Sequence, residues 1–267
     1  MKNFQRLTLT AILAGSALLA TGCASNGAPI AAGVSDTASP ATVTSQEPTI
    51  SASATAPAPS LPKGIIVKGV ANDGTGDYLQ TSIADDDPAM KYNPAITDAA
   101  AKAHYSAAEL AEAQKVIVKF IAEEAIDSTL NDGTDVDGWF AAHKNQILPA
   151  NQDIMLADMK TVDKCLLACE SWMAKRPTTF TYVHGPDTLR VAARTISPSA
   201  FSYVESGNLQ GVMLDTNVTY GMEVTDGTKR NIQNTTAEIS FAVAKDAADG
   251  GKWKIAGYNT NYHTLPG

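Results

Sequence analysis

The pattern of apolar and polar positions changes character along the chain. Leu7 to Ala20 is a charge-free run rich in Leu, Ala and Ile, preceded by Lys2 and Arg6. From Ala24 to Pro62 the periodicity vanishes, and 28 of 39 residues are Ala, Ser, Thr or Pro. Patterned sequence begins after Pro62. Gly64 to Val70 and Tyr78 to Ser82 read as short strands around an Asn72-Asp73-Gly74-Thr75-Gly76 turn. Asp85, Asp86 and Asp87 precede Pro88 in a loop; their contiguity does not fit a calcium loop, which needs spaced acids.

Helical spacing follows. Ser106 and Glu109 form a capping box, and Leu110, Ala113, Ile117, Phe120 and Ile121 recur on one face to about Ser128. A second, shorter helix is predicted over Asp135 to Ile147, with Trp139 and Phe140. A third is predicted from Gln152 to Lys175, striped by Met155, Met159, Val162, Leu166, Cys169 and Met173 and stopped by Pro177. Such a methionine stripe is core packing rather than a ligand surface.

Beyond it the period becomes two. Strands are predicted over Thr188–Ile196, Phe201–Glu205, Gly211–Val224, Thr235–Ala244 and Lys252–Tyr262, with Asp226-Gly227 and Asp249-Gly250-Gly251 as hairpin turns. Helices followed by an antiparallel meander predict an α+β fold, with helices packed on one curved antiparallel sheet. About 205 residues suffice for a single core.

The opening run is too short to span a bilayer as a mature helix and has the form of a secretory signal peptide. It ends Ala20-Thr21-Gly22-Cys23. Small residues before a cysteine at this place resemble the bacterial lipobox. That resemblance implies a diacylglycerol on Cys23, cleavage before it, and a lipid-anchored protein on the extracytoplasmic face of the cell membrane. Two acyl chains hold stably where one holds marginally. The expected organisation is a signal peptide at 1–22, a lipidated disordered linker at 23–62, an N-terminal extension with short strands at 63–105, and the α+β domain at 106–267. As a flexible coil the linker would span roughly 35 Å.

The formal net charge is −8, and residues 1–22 carry Lys2 and Arg6 and no acid, so the remainder carries about −10. Such acidity argues against nucleic acid, whose binding rests on neutralising phosphates. It also leaves the lipid, not surface charge, to hold the membrane.

Candidate chemistry is sparse. Cys165 and Cys169 are the cysteines other than Cys23. Four apart on a helix, they sit near the upper distance for bridging. Either the helix distorts and they form a disulfide, or they are two buried thiols. His104, His143, His184 and His263 are scattered without metal-ligand spacing. No nucleophile elbow or phosphate loop occurs, so neither a metal nor a cofactor is expected. Glu124 falls on the apolar stripe of the first helix; it is read as a helix end emerging into solvent, with a carboxylate at a cavity mouth as the alternative.

The capped first helix, the shorter Trp-bearing second one and the ending Gly250-Gly251-Lys252-Trp253-Lys254-Ile255 resemble the NTF2-like cone fold over residues 106–263. That family usually carries a small strand pair before its third helix, and none is read between Ile147 and Gln152. The resemblance implies a non-catalytic module that binds an envelope protein or a small apolar ligand. It implies, as the alternative, an isomerase or cyclase acting on a small apolar substrate. For an enzyme, Tyr203, Tyr220 and Glu223 lie on strands, but Tyr220 and Glu223 point to opposite faces, and no motif assigns a catalytic residue.

Overall fold

The computed structural model describes residues 61–130, 135–160 and 181–264, with side chains as far as 260. Cys23, Cys165 and Cys169 lie outside the described residues. The described residues belong to one compact unit, 60–267. They form an α+β fold, a curled antiparallel sheet with a few helices.

Strands β1 (Ile65–Asn72) and β2 (Asp77–Ile83) form a separate hairpin around the Asn72–Gly76 turn. Short helix α1 (Ala99–His104) and the longer α2 (Ala107–Phe120) follow. Then come α3 (Val136–His143) and α4 (Gln152–Met159). The main sheet is β3 (Thr181–Tyr182), β4 (Val191–Ser206), β5 (Leu209–Thr225), β6 (Arg230–Asp246) and β7 (Lys252–Thr264). Its order is β5-β6-β7, with β3 and β4 sharing the other edge of β5. Every pairing is antiparallel.

The capping box at Ser106 and Glu109 forms as the sequence predicts. α1 was not legible there; Asp98 caps it, accepting from the Ala101 amide at 2.6 Å. The same carboxylate accepts from the Tyr203 amide at 3.2 Å, so the capping residue also covers part of the outer edge of β4. α4 is described only to Met159, and the predicted continuation to Lys175 lies outside the described residues.

Two predicted elements differ in the structure. The strands expected at Thr188–Ile196 and Phe201–Glu205 are one strand, β4, running through Pro198 with an irregular register between Pro198 and Ala200. β4 pairs in a ladder with β5 alone, and a proline without an amide hydrogen is tolerated on an edge strand at such a bulge. The first long helix does not stay α-helical to Ser128. Its last turn widens at Ile121–Ile126 into a π-turn, closed by the Asp127 amide donating to the Ala122 carbonyl at 3.3 Å.

The core lies between helices and sheet. Val212, Leu214, Val218, Tyr220, Met222 and Val224 of β5 are buried, with Ile239, Phe241 and Val243 of β6 and Trp253 and Ile255 of β7. From α2 and α3, Ile117, Phe120 and Trp139 meet them. Phe120 packs edge-on against both Phe241, at 5.2 Å between ring centroids, and Trp139, at 6.4 Å. After α3, Ile147 makes a single parallel bridge to Ile255, and the Leu148 amide donates to the Ile255 carbonyl at 2.8 Å. Among the described residues no helix is long and apolar enough to cross a membrane.

Candidate functional site

Two clusters of buried charge meet where the β1–β2 hairpin rests on the π-turn. The first is built on Arg190, fully buried just before β4. Its Nη1 donates to Asp73 Oδ2 at 2.7 Å, and its Nη2 and Nε reach Asp127 Oδ1 at 3.2 and 3.3 Å. Nη2 also donates to the Ser128 carbonyl at 2.6 Å. The guanidinium lies 3.6 Å from the centroid of the Tyr78 ring. Asp127 uses its other oxygen to accept from the amide and hydroxyl of Thr81, each at 2.7 Å.

Asp73 sits in the turn between β1 and β2, and local chemistry puts it there. Its Oδ1 accepts from the Thr75 amide at 3.1 Å and the Thr75 hydroxyl at 2.8 Å, a self-capping turn. His184 then closes over the turn, its Nε2 2.9 Å from Asp73 Oδ2. Burial works against ionising Asp73, but His184, Thr75 and Arg190 outweigh it and hold its carboxyl below the usual range. At fully buried Asp127 burial prevails and pushes the carboxyl up, against Thr81 and Arg190.

Gly76 makes room for His184. A Cβ there would lie 2.7 Å from Cβ and Cγ of His184. Gly76→Ala is therefore expected to displace the imidazole and cost about 1–3 kcal/mol of stability. Urea denaturation measures this; an unchanged midpoint would refute the close packing of ring on turn.

The second cluster uses the π-turn itself, a form that recurs at functional sites. Glu123 and Glu124 both point inward from it. Lys68 of β1 lies between them, 2.7 Å from Glu124 Oε1 and 3.0 Å from Glu123 Oε2. Ser82 donates to Glu123 Oε1. Glu124 Oε2 lies 3.0 Å from His143 Nε2, an ion pair rather than an in-line hydrogen bond. The polar groups of the widened turn are also met from outside: Gln80 donates to the carbonyls of Glu123 and Asp127 at 2.9 and 3.0 Å, and Arg194 to that of Ala122 at 3.3 Å.

Glu124 is thus not a helix end emerging into solvent. It is 1 % exposed: the apolar stripe it belongs to faces inward, and Lys68 and His143 pair with its carboxylate. Burial opposes its charge, but His143 and Lys68 prevail and lower its carboxyl below the ordinary value.

The other residues singled out in the sequence lie apart. Tyr220 is buried, while Glu223 is partly exposed and pairs with Arg230 at 3.5 Å, so the opposite-face reading of β5 holds. Tyr203 stacks on His104 at 4.1 Å near the surface. His263 pairs through its backbone with Thr236. Sequence reasoning missed Asp73, Asp127, Arg190 and Lys68 as partners. The self-capping turn was visible at Asn72–Gly76, but nothing local points from it to Arg190, more than a hundred residues away.

Chemically, the arrangement is one of neutralised charges. Thr75, His184 and Asp73 do not form a nucleophile relay, because hydroxyl and carboxylate meet the same ring nitrogen, and a relay needs the two nitrogens in series. A lowered Glu124 is a poor proton shuttle near neutrality, where a raised carboxyl would serve. Among the described residues no group of three or more His, Cys, Asp or Glu is arranged to hold a metal ion. No protein-family model matches this chain, and no curated protein or solved structure matches it significantly.

Proposed function

We propose that this chain is an exported lipoprotein, held to the cell membrane by a lipid on Cys23. Its α+β domain, of NTF2-like cone type, acts as a non-catalytic binding or assembly module of the cell envelope. What supports the non-catalytic part is one observation above the others: the buried ionisable side chains are matched to one another across the hairpin, π-turn and β4. Arg190 faces two aspartates, and Glu124 faces Lys68 and His143. Catalysis needs a charge or dipole aimed at a substrate, and these are aimed at each other.

The cone reading draws on element order, with α2 and the Trp-bearing α3 before a curled meander, and on Trp253 buried in β7. The bridge from Ile147 to Ile255 lies after α3, where the resemblance leads one to look for a small strand pair. The occupant of the module is an envelope protein, with a small apolar ligand as the alternative. A second reading, an isomerase or cyclase on a small apolar substrate, draws on Glu123 and Glu124 in the π-turn, and the lowered Glu124 carboxyl weighs against it.

The anchor is tested by expressing the full chain and its Cys23→Ser variant in a bacterium fed labelled palmitate. The expected outcome is label and membrane fractionation for the parent, and loss of both for the variant. Equal fractionation without label would remove the lipoprotein reading.

A further inference from the structure

His143 ends α3 with each ring nitrogen against an acceptor. Nδ1 lies 2.7 Å from the Trp139 carbonyl one turn back, and Nε2 lies 3.0 Å from Glu124 Oε2. A carbonyl oxygen only accepts, so Nδ1 carries a hydrogen. An ionised carboxylate repels a bare ring lone pair, so Nε2 carries one too. The surroundings therefore favour an imidazolium, and the ring is stacked on Trp139 at 4.5 Å between centroids. The side chain is 17 % exposed, enough for exchange of its proton with solvent.

Among the described residues, the charged groups around the pair come from several elements. Lys68 comes from β1, Glu123 and Glu124 from the π-turn, and Lys119 of α2 lies 3.8 Å from Glu123. Tyr78 of β2 faces Glu124 with its hydroxyl pushed up by burial. On α3 itself, Asp137 is engaged by Lys160 at 2.6 Å. A helix of eight residues has little stability of its own. Beyond the His143 contact, α3 is held chiefly by burial of Trp139 and Phe140.

We propose that His143 is a proton-operated latch: charged, it clamps α3 to Glu124 on the π-turn, and loss of its Nε2 proton loosens α3 locally while the sheet stays folded. The direction of titration agrees with this geometry. Burial alone would lower the imidazole, but Glu124 outweighs it and raises His143 above 6.5. The latch is then fully closed below pH 6.5 and opens as pH rises through that higher value. Glu124, lowered below 4.5, stays ionised throughout that window.

The test is hydrogen exchange of the full chain in detergent, at about pH 6 and about pH 8.5, corrected for the intrinsic rate. A raised imidazole predicts roughly tenfold loss of protection over residues 136–143 per pH unit of its shift, with β5 and β6 unchanged. His143→Gln is expected to exchange fast at both pH values. Lys68→Met removes a repelling cation from a half-exposed site, so its opening midpoint moves to higher pH. Equal protection at both pH values would overturn the latch. So would a Lys68→Met midpoint that stays or falls, an outcome that does not depend on whether His143→Gln folds.

Discussion

Arg190→Met is expected to destabilise the domain by about 3–5 kcal/mol, the cost typical of removing one partner from a buried ion cluster. The cation is fully buried and faces two buried carboxylates, Asp73 and Asp127. Without it, both remain in a low-dielectric site with fewer donors. Thr81 and the turn amides still serve them and His184 still meets Asp73, but the buried cation that faced both carboxylates is gone. The sign of the pH dependence follows. In the variant both carboxyls rise and take up protons more readily than in the parent, so the deficit shrinks as pH falls from neutrality.

Arg190→Lys keeps the charge but loses the fork that spans Asp73, Asp127 and the Ser128 carbonyl, and falls between. Urea denaturation at two pH values measures all of this. A deficit below about 1 kcal/mol for Arg190→Met would mean that the cluster contributes no more than an exposed ion pair.

That cluster marks where sequence reasoning stops. The sheet was legible because alternation is local: Val218, Tyr220, Met222 and Val224 could be placed on one face from β5 alone, and they are buried. The capping box was legible for the same reason, since Ser106 and Glu109 sit three apart. The length of β4 was not legible, because the irregular register between Pro198 and Ala200 interrupts its alternation. Glu124 misled. The spacing from Ile117 put it on the apolar stripe, and that face is indeed buried; what the sequence could not show is that β1 and α3 cover the end of the helix. Its partners come from β1 and α3, and Arg190 reaches Asp73 across a separation of 117 residues. No periodicity within one element encodes such pairings; the fold has to bring them together.

Phe241 tests whether the space between helices and sheet is filled or open. Phe241→Ala is expected to cost about 3–5 kcal/mol, as for other fully buried phenylalanines. Phe241 is completely buried; it meets Phe120 edge-on at 5.2 Å and Tyr258 in a stack at 6.0 Å. Removing the ring strips packing from both neighbours and leaves a cavity in the core that also holds Ile117, Trp139 and Ile239. Partly exposed Tyr258, trimmed to Ala, should cost clearly less, since water can take the vacated place. Thermal and urea denaturation of both variants decide the matter. A large gap between them is the signature of a packed interior, and directs the search for a partner to the outer surface. If Phe241→Ala instead costs under about 1 kcal/mol, the ring was bordering open space rather than filling it. A ligand cavity would then become the better account of this domain.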